Sequence, residues 1–249
     1  MIDRTDDRPW LRQGDRQVRF DWGPSAVAAL PSDIVVVVDV LRFTTAVDSA
    51  VSRGAVIIPC RWRDEKATEF AREMDAILAD PLGRQGPSLS PISLQTLTVG
   101  DRVVLPSPNG STCAVNASDN GAIVVAACLR NASAVAQWVN QQKGTVTVVA
   151  CGERWPDDTL RPALEDLLGA GAVISALHGS KSTEAEAAEQ AWDLNHQRLA
   201  EVIESCVSGR EAILRGWRGD LEFATALHAS RCVPVLRNGG FVDVAGNSH

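Results

Sequence analysis

Two stretches of this chain match one another at a constant offset of 67 residues, and no other feature constrains the fold as strongly. From Val36 the sequence reads VVVDVLRFTTAVDSAVSRGAVII, and from Val103 it reads VVLPSPNGSTCAVNASDNGAIVV. Val36/Val103, Val37/Val104, Thr45/Thr112, Ala50/Ala117, Gly54/Gly121 and Ala55/Ala122 are identical, and Thr44/Ser111, Val56/Ile123, Ile57/Val124 and Ile58/Val125 are conservative. Each copy reads as a β-branched strand, a loop, a helix closed by glycine, and a second apolar strand, so one βαβ unit is present twice. The copies share a scaffold and differ in polar groups. In the first, the apolar run from Ile34 to Val38 leads straight into Asp39 and then Arg42; the second has Pro106 and Asn109 at those places.

Further elements extend the pattern. Gln17 to Trp22 reads as a strand, Pro24 to Leu30 as a helix with proline in its first turn, and Asp64 to Met74 as an exposed helix. Ala76 to Ala79 can be a strand, and DPLGRQGPSLSP after it must be a loop. Asn131 to Gln142 reads as a helix capped by Asn131, Thr145 to Ala150 as a strand, and WPDDTLRP as a loop. Ala163 to Leu177 is a mostly apolar helix, Glu184 to Cys206 is helical with a break near Asn195, and Leu221 to Leu227 is a short helix. Val233 to Leu236 and Phe241 to Val244 form a last hairpin or edge strand. Strands alternating with helices define an α/β class, a three-layer α/β/α fold with a largely parallel sheet. The chain can divide into two lobes, about 17–140 and 141–249, with residues 1–16 as a flexible arm.

Composition narrows the partners. With 249 residues the chain can bury its own core, and a net charge of -7 argues against nucleic acid, whose phosphates require clustered Lys and Arg. A small anionic substrate needs only a few local cations. No apolar run approaches the ~20 residues that span a bilayer, and the charged N-terminus has no signal-peptide core, so a cytoplasmic location and no membrane partner are expected. The 6 cysteines form no C-x-x-C pair and read as reduced, buried thiols. A homodimer is compatible with a chain of this size, with no residue pattern that demands one.

In a parallel sheet the ends of the strands share one edge, where ligands bind. That edge should gather Asp39 to Thr45, Pro106 to Thr112, and Cys151 to Arg154. Two helix N-termini there offer backbone N–H groups to an anion, with hydroxyls from Thr44, Thr45, Ser111 and Thr112. Arg42 and Arg154 can hold phosphate or sulfonate, and Asn109 can donate an amide hydrogen bond. Asp39, with Glu165 or Asp166, supplies the oxygen ligands that Mg²⁺ takes, and could equally be a base or nucleophile. Plainer roles stand beside these: the hydroxyls as helix caps, the two acids as partners of a helix dipole, Arg42 as the ion-pair partner of Asp39.

The segment DVLRFTT resembles the D-V-L-R-A-T-T-T segment of the 2-phosphosulfolactate phosphatase (ComB) family. SPNGST, RNASAVA, VACGERW, ALEDLLGAGAVISAL and SGREAILRGWRGDLEFA resemble further motifs of that family in the same order, from about Ile34 to Leu236. The resemblance implies a Mg²⁺-dependent phosphatase that converts 2-phospho-3-sulfolactate to sulfolactate and phosphate, a step known from coenzyme M biosynthesis. It also implies a duplicated three-layer fold. Carried over, it implicates Asp39, Arg42 and Asn109 in catalysis, and Thr44, Thr45, Gly110, Ser111, Thr112, Asn131 and Arg154 in substrate binding. Asp39, Glu165, Asp166 and Asp220 would hold the metal. The chain departs from the pattern at LADPLGRQGPSLSP, where a glutamate and an asparagine are missing, and at Phe43, where the family has alanine. Two other readings are a cysteine hydrolase of isochorismatase type using Asp39, Lys143 and Cys151, and a non-catalytic anion-binding domain on the same scaffold.

Overall fold

The computed structural model describes residues 9–80 and 86–245. Residues 1–8 of the expected flexible arm therefore lie outside the described residues, while in its second half a 3-10 turn at Pro9–Arg12 is followed by Gln13, whose side chain donates to the Phe20 carbonyl at 2.7 Å. The strands are β1 (Val18–Trp22), β2 (Ile34–Val38), β3 (Val56–Cys60), β4 (Ile77–Leu78), β5 (Arg102–Pro106), β6 (Ile123–Ala127), β7 (Val146–Ala150), β8 (Glu153–Arg154), β9 (Leu160–Arg161), β10 (Pro234–Arg237) and β11 (Gly240–Asp243). The helices are α1 (Gly23–Ala29), α2 (Phe43–Val51), α3 (Glu65–Glu73), α4 (Gly110–Asp119), α5 (Ala132–Val139), α6 (Leu164–Ile174), α7 (Thr183–Asn195), α8 (Leu199–Ser205), α9 (Val207–Leu214) and α10 (Arg218–Ala224). A short 3-10 segment, His196–Arg198, separates α7 from α8, as the expected break near Asn195 required. Sequence reading missed α9 and took the β8–β9 hairpin for loop.

A sheet of nine strands in the order β1-β7-β2-β6-β10-β11-β3-β5-β4 forms the middle layer. Every residue of β2 is buried, because the sheet is covered on both faces, and such strands read as unbroken apolar runs. Ile34, Val36 and Val38 face α5, α6 and α7, while Val35 and Val37 face α1, α2 and α4. A Cβ added at Gly169 of α6 would meet Val40 Cγ2 at 2.6 Å and Val38 Cγ1 at 2.9 Å, so that glycine sets how closely α6 lies on β2. The sheet interleaves both sides of residue 140, with β7 between β1 and β2.

The 67-residue repeat is present in the elements themselves: α2 and α4 begin at Phe43 and Gly110, and β3 and β6 begin at Val56 and Ile123, pairs with that same offset. Gly54 and Gly121 end the two helices with φ of 85° and 84°, a conformation in which glycine carries no steric cost. The two units interlock. Strand β2 pairs in parallel with β6 of the other copy, Ile34 opposite Ile123, and β3 pairs in parallel with β5.

The β10–β11 hairpin lies at the centre of the sheet, not at its edge. It is antiparallel to β6 on one side and to β3 on the other, with Val235 opposite Val125 and Phe241 opposite Ile57. Both residues are buried, which suits a central position. The antiparallel steps reverse strand sense between the two parallel groups, so the expectation that all strand ends share one edge is corrected. The loops after β2 and β5 meet nonetheless. The Gly110 N–H reaches Asp39 Oδ2 at 3.0 Å where the starts of α2 and α4 come together.

Candidate active site

Asp39 occupies the junction. Its Oδ1 accepts the backbone N–H of Phe43 at 3.0 Å and its Oδ2 that of Gly110 at 3.0 Å. These two amides are equivalent positions of the repeat, so the N-termini of α2 and α4 grip one carboxylate from two sides. The anion that these helix ends were expected to hold is therefore the protein's own. Burial pushes the Asp39 carboxyl up to about 6, against the pull of the two amides; Glu165 adds to the rise and Arg42 opposes it. Gly110 permits this approach, because a Cβ there would overlap the Phe43 ring and come within 2.7 Å of Asp39 Oδ2. Phe43 is fully buried, its ring edge-on to Phe241 with centroids 6.3 Å apart, so the bulk of this residue faces the core.

Arg42 pairs with Asp220 and not with Asp39. Its Nη1 lies 2.7 Å from Asp220 Oδ2, and the guanidinium stacks on the Trp217 indole 3.8 Å from the ring centroid. Ser90 donates a short hydrogen bond to the other Asp220 oxygen. Asp220 thus joins α10, the loop before Pro91 and the arginine, and it stands apart from the metal-binding set in which sequence reading placed it.

A cleft opens beside these groups in two compartments that share Leu41, Arg42, Arg63, Leu89 and Glu153. The polar compartment, about 330 Å³, adds Asp39, Ser107, Asn109 and Arg154. The other, about 390 Å³, runs away from Asp39 between Leu78, Ala79, Asp80 and Leu89 on one side and α9 on the other. Asn109 donates to Glu153 Oε2 at 3.2 Å and accepts from Arg154 Nε at 3.3 Å, so it bridges an acid and a cation. Arg154 is also bonded to the Asp158 carbonyl at 2.8 Å.

Glu153 and Arg63 were missed by sequence reading. Burial pushes the Glu153 carboxyl up to about 8, and Asp39 and Glu165 reinforce the shift. The Arg63 guanidinium, lowered by desolvation, is held charged by Glu153 and Asp39. Extending the 67-residue match beyond β3 pairs Arg63 with Arg130, and that continuation was a signal for it. Glu153 gave none, because its role depends on the β8–β9 hairpin.

The remaining predicted site residues are mostly committed to backbone. Thr44 Oγ1 donates to the Asp39 carbonyl at 2.8 Å and Thr45 Oγ1 to the Val40 carbonyl at 2.7 Å. Ser111 Oγ donates to the Leu105 carbonyl at 2.9 Å. Thr112 is half-buried on α4 and does not line the cleft. Asn131 precedes α5 without capping it; its side chain accepts from Cys128 N at 2.8 Å and donates to two carbonyls. All of these but Thr112 are buried where no ligand could reach them without rearrangement.

Glu165 and Asp166 are buried in the first turn of α6. Asp166 accepts Val40 N at 2.7 Å and Gly152 N at 2.8 Å, tying the loops after β2 and β7 together, and burial beside Asp39 and Glu165 raises its carboxyl well above the usual range. Glu165 receives the Cys206 thiol at 3.4 Å. Among the described residues, no group of three or more His, Cys, Asp or Glu is disposed to hold a metal ion. Mg²⁺ does not need such a group, since it often takes one or two carboxylates and completes its shell with substrate oxygens and water. Asp39 and Glu153, both at the cleft and both raised chiefly by burial, with Asp39 adding to the rise at Glu153, fit that pattern.

The six cysteines are free and buried. Burial, with Cys113 beside it, raises the Cys151 thiol well above its ordinary value, so it is a poor nucleophile at neutral pH. Lys143 precedes β7 and Cys151 follows it, which puts them at opposite ends of one strand. Among the described residues no helix is long and apolar enough to cross a membrane.

Residues 24–239 match the family model for 2-phosphosulpholactate phosphatase. The chain is 27% identical to a 2-phosphosulfolactate phosphatase of Methanothermobacter thermautotrophicus, over 84% of this chain and 88% of that protein. It is 28% identical to a probable 2-phosphosulfolactate phosphatase of Thermotoga maritima, over 83% of this chain and 90% of the other. A probable 2-phosphosulfolactate phosphatase of Gloeobacter violaceus is 26% identical, over 88% of this chain and 94% of the other.

Proposed function

This chain belongs to the 2-phosphosulpholactate phosphatase family, and on that premise we propose that it is a phosphoric monoester hydrolase. Its substrate is 2-phospho-3-sulfolactate, and it works with Mg²⁺. The observation that carries this reading is the clamped Asp39 carboxylate facing Arg42, Arg63, Asn109 and Arg154 in one cleft.

The substrate carries three anionic groups, and the polar compartment offers three arginines, Arg42, Arg63 and Arg154. Arg42, with its plane set by Trp217 and one nitrogen held by Asp220, keeps donors free for the phosphate. Arg63 adds charge at the rim common to both compartments. Arg154, steadied by Asn109 and Asp158, suits the distal sulfonate or carboxylate. Asp39 and Glu153 would hold Mg²⁺, which when bound would neutralise charge building on the phosphoryl oxygens. Ionisation of Asp39 above about pH 6 leaves each of its oxygens a lone pair beyond the one that accepts an amide. The two amide bonds fix the plane of that carboxylate, so little reorganisation is required when charge develops nearby.

Phosphate release from 2-phospho-3-sulfolactate, measured across a Mg²⁺ titration and after chelation, tests the reading. Activity should rise with Mg²⁺ and vanish with chelator. Undiminished turnover in Asp39→Asn would sink the Asp39-centred mechanism. Tight binding of the ester without turnover under any divalent ion would favour the anion-binding reading.

A further inference from the structure

We infer that Arg130 is a positioning residue for Arg42: it pins α10 to α2 and so places Asp220, which aims the Arg42 guanidinium at the cleft. The inference rests on the reading above that Arg42 holds the phosphate, and it adds a residue that lines neither compartment.

Arg130 is the counterpart of Arg63 in the repeat, yet the two side chains take different paths. Arg63 reaches the cleft. Arg130 turns inward, where its Nε donates to Asp48 Oδ2 of α2 at 3.0 Å and its Nη1 to the Phe223 carbonyl of α10 at 3.1 Å. The guanidinium also stacks on the Phe223 ring, 3.7 Å from the centroid. One planar group therefore holds both helices, which the point charge of a lysine could not reproduce. The ion pair is buried, with side chains 13% and 0% exposed. Burial raises the Asp48 carboxyl and Arg130 opposes the rise. The second copy has Val115 where the first has Asp48, so this attachment, like Asp39, exists once in the duplicated scaffold.

Helix α10 is thus joined to α2 at two points. Arg42, directly before α2, meets Asp220; Asp48, six residues further on, meets Arg130 and through it Phe223. Asp220 and Phe223 are one turn apart on α10, and the Phe223 carbonyl belongs to the last turn, where an arginine donor completes a bond the helix cannot make itself. With 7 residues, α10 is too short to hold its shape unaided. Leu221 and Ala224 bury into the core and fix its depth, but apolar burial is non-directional and leaves the rotation of the helix open. The polar bonds at Asp220 and Phe223 set that rotation. Without the second, a small roll of α10 would carry the Asp220 carboxylate off Arg42. The loop after α10 does not depend on the Arg130 side chain, since His228 N bonds the Leu129 carbonyl at 3.2 Å and Ser230 N the Arg130 carbonyl at 3.0 Å.

Arg130→Lys keeps a cation for Asp48 and removes the planar fork. With 2-phospho-3-sulfolactate and Mg²⁺, KM should rise about fivefold while kcat changes by less than about twofold. In Arg130→Lys/Asp220→Asn, KM should equal that of Asp220→Asn alone, because Arg130 acts through Asp220; a general loosening of the fold would multiply the two increases instead. The calorimetric Kd for inorganic phosphate should weaken in the same pattern, which reads the effect without turnover. Phe223→Leu removes the stacking face and keeps the carbonyl, and it should raise KM by a smaller factor; it serves as the second variant if Arg130→Lys does not fold. Unchanged KM and phosphate Kd in a folded variant, or multiplied losses with Asp220→Asn, would overturn the inference and leave the phosphatase reading intact. A parent protein that binds phosphate but releases none from the ester would overturn that reading, and the Kd series would still decide on Arg130. A parent protein that does neither would overturn both.

Discussion

Asp39 Oδ2 accepts the backbone N–H of Gly110 at 3.0 Å, across 71 residues of chain. Its other oxygen accepts the equivalent amide of the first repeat, that of Phe43. A duplicated helix start thus supplies both donors for a single acid that only one copy carries. The asymmetry of the repeat, aspartate in one unit and proline in the other, makes one site out of two scaffolds.

Asp39→Asn replaces one acceptor oxygen with an amide that must face a backbone N–H. We expect loss of most phosphate release and destabilisation of about 1–3 kcal/mol. Thermal melting and phosphate assays together check this. In the unaltered protein, kcat/KM should fall as pH drops through about 6, where the Asp39 carboxyl takes up a proton.

Gly110→Ala should be among the more damaging single-methyl additions, at about 1–3 kcal/mol, because the new Cβ overlaps the buried Phe43 ring. Pairing it with Phe43→Leu removes part of that ring and should recover stability. A double variant no more stable than Gly110→Ala would show that the methyl acts on Asp39 instead.

The Arg42–Asp220 pair is nearly buried, with side chains 15% and 5% exposed. Asp220→Asn should weaken the hold on the guanidinium and raise KM for the ester more than it lowers kcat. A double-mutant cycle with Arg42→Ala should return coupling of about 1–3 kcal/mol. Additive losses would mean that Asp220 acts independently of Arg42.

The Glu153 carboxyl is raised to about 8, so the stability associated with its neutral form is fully present below the ordinary glutamate range and is lost as pH rises through about 8. Glu153→Gln should therefore gain on the parent protein between roughly pH 4.5 and 8, by an amount on the order of 1–3 kcal/mol after allowance for its partial exposure. Mg²⁺ should erase that gain in the parent protein. Melting curves at several pH values, with and without Mg²⁺, decide; a gap independent of pH would contradict the electrostatic account.

Cys151→Ala should retain phosphate release, since the thiol is buried and held in its neutral form. The cost should be a modest loss of stability from the vacated volume. Abolished activity in a folded Cys151→Ala variant would revive the cysteine-hydrolase reading.

Much of the fold was legible. Ile34 to Val38, the glycines at 54 and 121, and the break after Asn195 each announced an element through local chemistry. Of the site, Asp39 and Arg42 were legible because polar groups directly after an apolar strand stand out. The hydroxyls are different: Thr44, Thr45 and Ser111 have the composition of ligand donors, yet each donates to a backbone carbonyl five or six residues before it. Asp220 misled differently, since an acid in a helix does not disclose which distant cation it will meet.

Sequence by itself determined the duplicated α/β scaffold, because periodicity, β-branched runs and terminating glycines act over short stretches of chain. Tertiary structure alone decided how the units combine. Interlocked pairing of β2 with β6 and β3 with β5, and the central place of the β10–β11 hairpin, follow from burying apolar strands on both faces. The same packing brought Phe43 and Gly110 to opposite oxygens of Asp39 and set Glu153 and Arg63 beside it. Apart from the local Phe43 amide, those contacts join residues far apart in the chain, and burial, not local propensity, gives them their strength.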